Sequence, residues 1–369
     1  MNTSLYIHIP FCRKKCGYCD FYSKPYRATL AAGYIDALCR QIRLCGDNFS
    51  SVYIGGGTPT VLPVLLLQKL LASLTNARRR AHEFTVEANP ESLDRQRLRM
   101  LREYGVNRIS VGVQSFCDVK LHMLGRLHSA RVAREAVFAC AQHGFGNIGI
   151  DLMYGVWNET LAQWQEELRQ ALTLPVAHIS IYSLTYEKGT PLTKRLQKKK
   201  IAHIDDAVSA RMYECAHEIL ARHGFIRYEV SNFAKRGFYS RHNMHYWRNE
   251  PSLGLGPSAA SYRDGERRKN ISDIRKYIER VGRGVSVAVS AERLRVQEAA
   301  KETAAVKIRT TEGVSHAWFK QKTGFDFLDL EKKELPALAR EGFVRLGRSD
   351  TRLTAKGFLF SDTVSAALL

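Results

Sequence analysis

Long hydrophobic runs are missing from this chain of 369 residues: no apolar stretch approaches the roughly 20 residues needed to cross a bilayer. Residues 1–11 lack a basic start followed by a long apolar core, so no secretory leader is expected. A disulfide framework is missing as well. Of the eight cysteines, three are clustered and five are scattered, at Cys39, Cys45, Cys117, Cys140 and Cys215, unlike the spacing of stapled secreted domains. Together these absences favour a reducing, cytoplasmic setting. Acidic residues are scarce: 36 Asp and Glu stand against 56 Lys and Arg, a net charge of +20. That balance suits nucleic acid, an anionic membrane surface or an acidic ligand, and equally a solvated basic surface. The runs Arg78-Arg79-Arg80 and Lys198-Lys199-Lys200 lie beside expected helices, where such charges usually face water.

What is present is an ordinary apolar content of 45%. The length suggests roughly two domains at about 150 residues each, enough to bury a sizeable core without staples. Residues 1–190 alternate short apolar runs with longer amphipathic stretches. The expected strands are Leu5–Ile9, Val52–Gly55, Phe84–Glu87, Arg108–Val113, Ile148–Met153 and His178–Ser183, short and rich in Val and Ile as strands buried on both faces tend to be. Helical spacing recurs in Ala28–Cys45, Pro63–Thr75, Leu93–Tyr104, Ala130–His143 and Leu161–Leu172. Six strand–helix steps predict a parallel sheet with right-handed crossovers, short of the eight that close a full barrel. The expected fold class is therefore α/β, an open, partial (β/α)6 barrel.

The stretch from Tyr6 to Phe21 places Cys12, Cys16 and Cys19 in a loop just after the first strand, at the spacing Cys-x3-Cys-x2-Cys. Thiolates are soft ligands that select zinc, copper(I) or iron–sulfur clusters. A cubane cluster usually takes four cysteines; three would hold three irons and leave the fourth open to a molecule offering an amine and a carboxylate. S-adenosylmethionine carries both. The same spacing suits structural zinc with a distant fourth ligand, or free core thiols. Ligands gather at the C-terminal ends of strands in such folds, and the other motifs sit there. Gly55-Gly56-Gly57-Thr58 follows strand two, with glycines that let backbone N–H groups approach a ligand, or that simply make a turn. Glu87 ends strand three, Gln114 strand four and Asp151 strand five; Arg126 follows on the next helix. A carboxylate in an apolar run needs a partner.

The wording Tyr-x-His-Ile-Pro-Phe-Cys-x3-Cys-x-Tyr-Cys-x-Phe resembles the cluster motif of the radical S-adenosylmethionine (radical SAM) enzymes, and within them the oxygen-independent coproporphyrinogen III oxidase family. The resemblance covers nearly the whole chain. It implies a 4Fe-4S cluster on Cys12, Cys16 and Cys19, whose open iron holds S-adenosylmethionine; one electron splits that molecule to a 5′-deoxyadenosyl radical. It implies a glycine segment, Gly56, Gly57 and Thr58, along the methionine part, and Glu87 in contact with S-adenosylmethionine. Gln114, Arg126, Asp151 and Tyr6 match the family motif residue by residue. After Gly155 the sequence departs from it: a Leu-Pro-Gly-Gln turn is replaced by Val156-Trp157-Asn158-Glu159.

Two further features select a branch. Coproporphyrinogen oxidases carry another cysteine two positions after the third, where Phe21 stands here. His242-Asn243-Met244-His245-Tyr246-Trp247 resembles the His-Asn-x-x-Tyr-Trp motif of the heme-chaperone branch, whose members bind heme and pass it to heme-accepting proteins. On chemistry alone a histidine beside aromatics suits a hydrogen-bonded core position as well as a heme ligand; the resemblance makes His242 the candidate ligand, with His245 beside it. The reading is thus a heme chaperone with cluster and S-adenosylmethionine, and no coproporphyrinogen oxidase activity; the alternative is that oxidase, which decarboxylates two propionates of coproporphyrinogen III. Either way the ligand is an anionic tetrapyrrole, which a basic cleft suits.

The expected units are 1–235, the barrel core with following helices; 236–292, a connecting segment; and 293–369, a winged-helix-like module with helices at Arg293–Arg309, Leu330–Glu341 and Ala355–Leu368. A winged helix suggests duplex DNA. Yet residues 293–369 carry 14 Lys and Arg against 10 Asp and Glu, so +16 of the charge lies elsewhere, which points to a structural lid and away from nucleic acid.

Overall fold

Strand alternation decides how this chain is layered. The computed structural model describes residues 3–46 and 49–369. In chain order the barrel half runs β1 (Thr3–Ile9), α1 (Ala28–Leu44), β2 (Phe49–Gly56), α2 (Val64–Ser73), β3 (Glu83–Ala88), α3 (Arg95–Glu103), β4 (Arg108–Gln114), α4 (Asp118–Leu124), α5 (Ala130–Gln142), β5 (Asn147–Tyr154), α6 (Leu161–Leu172) and β6 (His178–Ser183). The six strands lie side by side in sequence order and pair in parallel. Leu5, Ile7, Val52, Ile54, Val86, Ile109, Val111, Ile148, Ile150 and Ile179 are fully buried against the helices. Each such side chain contributes about 1.5–3 kcal/mol on burial.

Both strand faces are buried, as expected, but they differ in chemistry. With a period of two, the residues between the apolar ones turn inward: Ser51, Arg108, Ser110, His178 and Ser180 are buried polar groups. The barrel interior is polar, and the apolar layer lies outside it.

The chain then adds α7 (Pro191–Gln197), α8 (Asp206–Arg222), β7 (Asn232–Ala234), α9 (Arg241–Trp247), β8 (Ser252–Leu255), β9 (Ala260–Arg263), β10 (Glu266–Asn270), α10 (Ile274–Gly282) and β11 (Ala288–Arg293). Strand β8 pairs in parallel with the outer edge of β1, a seventh parallel strand in what the sequence suggested was a connecting segment. Strand β7 pairs antiparallel with β6 and with the short strand Ile226–Arg227, and β9, β10 and β11 extend the other edge antiparallel, giving a sheet of 12 strands among the described residues.

The C-terminal unit holds α11 (Val296–Lys307), β12 (Val314–Ser315), α12 (His316–Thr323), α13 (Phe327–Leu330), α14 (Glu334–Arg340), β13 (Val344–Leu346), β14 (Asp350–Leu353), α15 (Ala355–Leu359) and α16 (Ser361–Ala367). Helices with a three-stranded sheet make it winged-helix-like. It docks on the barrel through Thr311 N–H to the Tyr228 carbonyl (3.0 Å) and Asn249 Nδ2 to Thr303 Oγ1 (3.0 Å). No helix among the described residues is long and apolar enough to cross a membrane.

Candidate cofactor site

The loop after β1 is pinned at both ends. Phe11–Cys12 pairs with Lys24–Pro25, and Tyr26 N–H donates to the Cys12 carbonyl at 2.9 Å. Within it Cys19 N–H turns back to the Cys16 carbonyl (3.3 Å). The thiols of Cys12, Cys16 and Cys19 are free, partly open, and line a cavity of about 830 Å³ at the C-terminal ends of the strands. Burial raises the Cys12 thiol, opposed by hydrogen bonds from Thr58 and Ser23, and pushes Cys19 up to about 11. Among the described residues no three ligating side chains converge on a single-ion position. A cubane does not require that, because each thiolate binds its own iron.

The glycine run meets the loop from β2. A Cβ on Gly57 would sit 2.5 Å from the Phe11 carbonyl oxygen; one on Gly56, at φ +107°, would sit 2.6 Å from the His8 ring. These close approaches account for the glycines by internal packing, with Gly57 N–H and Thr58 N–H donating to the Ile9 and Phe11 carbonyls at 2.8 and 2.7 Å. Gly56, Gly57 and Thr58 all line the cavity.

Glu87 also lines it. Its carboxylate accepts from Tyr53 Oη at 2.6 Å and from Gly56 N–H at 3.1 Å. Burial pushes its pKa up to about 7, with those hydrogen bonds opposing. Gln114 borders the same space with φ +66°, where the β4–β5 register shifts. A non-glycine residue held in the left-handed region is uncommon and often marks a functional position. Asp151 lines the wall beside Ser110 and Ser180, which stabilise its carboxylate against the cost of burial.

Arg126, just past α4, reaches across. Its Nη1 donates to Cys16 Sγ at 3.5 Å, and its Nη2 donates to Asn89 Oδ1 at 2.6 Å and to the Gly112 carbonyl at 2.8 Å. Asn89 in turn donates to Thr58 Oγ1 at 2.9 Å, and Thr58 Oγ1 lies 3.7 Å from Cys12 Sγ as donor. The sequence reading passed over Asn89 and Tyr53. Their only signal was inward register: Tyr53 two before Gly55 on β2, and Asn89 two after Glu87.

Tyr6 and His242 stand apart from the cavity. Tyr6 Oη lies 3.0 Å from His8 Nδ1, and His8 Nε2 lies 2.8 Å from the Tyr22 carbonyl, so Tyr6 supports the loop from below. His242, on α9, is buried inside the barrel. Its Nδ1 meets Ser51 Oγ (2.9 Å), its Nε2 meets Tyr246 Oη (3.1 Å), and its ring stacks on Tyr53 at 4.8 Å. Burial lowers its pKa to about 3. Both nitrogens of His245 are engaged as well, by Glu250 (3.0 Å) and the Pro251 carbonyl (3.0 Å). The structure therefore does not bring His242 to the cavity, and in this arrangement neither histidine has a nitrogen open to an iron.

The departing loop has a definite shape. Asn158 adopts φ +63°, and the buried Glu159 accepts from Lys120 Nζ (2.5 Å) and Val156 N–H (3.1 Å). Val156 and Trp157 form a small second core with Leu184, Leu192 and Ile201.

Ten residues expected at one site thus share one cavity wall, with three thiols and a guanidinium among them. Residues 6–171 match the family model of the radical SAM superfamily, and residues 294–360 that of the HemN C-terminal domain. A Bacillus subtilis protein named heme chaperone HemW is 34% identical over 99% of both chains. The chain belongs to the HemW family of the radical SAM superfamily. A second HemW, from Lactococcus lactis, is 32% identical over 98% of this chain and 96% of its own. The bovine mitochondrial radical S-adenosyl methionine domain-containing protein 1 is 33% identical over 100% of this chain and 87% of its own. Because the HemW matches run end to end, the C-terminal unit is part of what the family shares. The solved Escherichia coli coproporphyrinogen III oxidase HemN, described as a radical SAM enzyme, superposes with a TM-score of 0.87 at 21% identity, over 100% of this chain and 90% of that one; what the two share is the fold.

Proposed function

We propose that this protein holds a 4Fe-4S cluster on Cys12, Cys16 and Cys19, takes S-adenosylmethionine at the open iron, and carries heme to heme-accepting proteins. The observation that carries the cofactor reading is the donor set: three free thiols on one cavity wall, two of them with hydrogen-bond donors, Thr58 and Arg126, directed at the sulfurs. Donors of that kind stabilise thiolate ligands and tune a cluster. When bound, the cluster supplies an electron to S-adenosylmethionine. This chain's residues would bind and orient: Gly56, Gly57 and Thr58 line the cavity without bulky side chains, their N–H groups already donating within the chain, Glu87 is a deep acceptor held by Tyr53, and Gln114, Arg126 and Asp151 line the remaining wall.

The heme reading is supported by the name and end-to-end match of the HemW relatives. Its residue-level candidate is His242. Ligation requires α9 to release the imidazole from Ser51 and Tyr246, which costs about 0.5–1.5 kcal/mol per hydrogen bond. The oxidase alternative lacks a cysteine at Phe21, which is 65% exposed at the cavity wall.

Anaerobic reconstitution tests the whole reading. The wild-type chain should gain broad visible absorption, Cys12→Ala should lose it, and Cys39→Ala, in the core far along α1, should keep it. The same sample should bind heme and yield no vinyl product from coproporphyrinogen III. Robust vinyl formation with reductant and S-adenosylmethionine would replace the chaperone reading with the oxidase.

A further inference from the structure

We infer that the side-chain amide of Asn89 sets the polarity of the hydrogen-bond chain joining Cys12 to Cys16, and so keeps two donors aimed at the cluster sulfurs. This rests on the cluster reading above. Arginine can only donate, so the Asn89 oxygen must face Arg126 Nη2, at 2.6 Å. The amide nitrogen is then committed to Thr58 Oγ1, at 2.9 Å. A hydroxyl that already accepts from Asn89 has its own hydrogen free, and the sulfur of Cys12 lies 3.7 Å away to receive it. At the other end Arg126 Nη1 donates to Cys16 Sγ at 3.5 Å. A neutral amide therefore orients both donors without cancelling the guanidinium charge.

The backbone fixes the amide in place. Asn89 follows β3 directly, and its carbonyl accepts from Ser92 N–H at 2.9 Å and from Ser92 Oγ at 2.7 Å. Space for it comes from Gly112 on β4, where a Cβ would lie 3.1 Å from Asn89 Oδ1.

An aspartate has the same shape and the opposite effect at both ends. It would still accept from Arg126, but as an anion it would neutralise that charge. It has no hydrogen to give Thr58, whose hydroxyl would turn to donate to the carboxylate and leave Cys12. Cluster potentials depend on net charge and on hydrogen bonds to the sulfurs, and both changes stabilise the oxidised cluster. Asn89 is thus a positioning residue that acts through Thr58 and Arg126.

The test is a potentiometric titration of the anaerobically reconstituted full chain, followed by the electron paramagnetic resonance signal of the reduced cluster. Asn89→Asp should move the midpoint to a more negative potential with the cluster still assembled on three thiols. Thr58→Val should lower it by part of that shift in the wild-type background and add nothing in the Asn89→Asp background, since the hydroxyl has already turned away. An Asn89→Asp midpoint equal to wild type overturns the inference. So does a Thr58→Val shift of equal size in both backgrounds. A wild-type chain that takes up no cluster overturns it in a separate way, by removing the cofactor reading beneath it.

Discussion

At the scale of single residues, Glu87 shows what the site does to a side chain. The sequence placed it at a strand end, and the family resemblance implied contact with S-adenosylmethionine, but neither named its partners, because Tyr53 and Gly56 arrive from a strand more than 30 residues earlier. Asn89 was missed for the same reason: its meaning lies in Thr58 and Arg126, which only the fold brings together. Burial holds the Glu87 carboxyl at about 7, above its ordinary 4.5. A carboxyl whose pKa is raised on folding contributes stability that is full below about pH 4.5 and lost as pH rises through about 7. Glu87→Gln removes the charge. Relative to wild type it should therefore become more stabilising between pH 5.5 and 8, by on the order of 1–2 kcal/mol given its partial opening to the cavity. Urea unfolding of the apo protein at the two pH values checks this, and a stability difference independent of pH would refute it. The same variant should weaken the response of the cluster signal to S-adenosylmethionine, the pattern of a group kept for function at a cost in stability.

At the scale of elements, the six strands and their helices were legible because β strands at period two and helices at 3.6 leave different apolar patterns. What was not legible was the chemistry of the inner face, since a polar barrel interior and a solvent face look alike in one sequence. Helix α9 suffers most from that ambiguity. Its resemblance to the family motif makes His242 a candidate ligand, whereas its place inside the barrel makes the imidazole a buried, doubly hydrogen-bonded group stacked on Tyr53. Both descriptions hold if heme capture selects an arrangement in which α9 has released the ring. The apparent affinity is then reduced by the small fraction of molecules in that arrangement. Ser51→Ala removes one of the two restraints, worth about 1 kcal/mol. It should raise heme affinity roughly fivefold, while His242→Ala should lower it and shift the Soret band with the cluster intact. Heme titrations of both variants decide the matter. If Ser51→Ala binds no more tightly, α9 does not open in this way; if His242→Ala binds with unaltered spectrum, the ligand lies elsewhere.

At the scale of the whole molecule, the C-terminal unit walls one side of the cavity that the barrel leaves open. Six strand–helix units cannot complete a ring, and the cavity would face water along the gap. Phe358, Leu359, Phe360, Ser361 and Asp362 instead form part of its wall, beside Arg309. The sequence indicated a winged-helix-like module and a lid but could not show where it sits, because the docking contacts join residues far apart in the chain. The central one is Phe358, buried with the Arg227 guanidinium 3.7 Å from its ring centroid, a cation–π contact, while Arg309 and Asp362 pair nearby. Closing a site excludes water and oxidants from whatever it holds. Phe358→Ala removes the ring and leaves a gap that opens onto the cavity, at a cost of up to about 3–5 kcal/mol if nothing collapses into it. The reconstituted variant should lose its visible absorption in air several-fold faster than wild type. Phe358→Leu keeps most of the volume and should lie between the two, which separates loss of cover from loss of folding, as does an unchanged far-ultraviolet circular dichroism spectrum. Equal bleaching rates in all three proteins would mean that oxygen reaches the cluster by another route, along the exposed loop of Arg13, Lys14 and Lys15, and that the C-terminal unit does not act as its barrier.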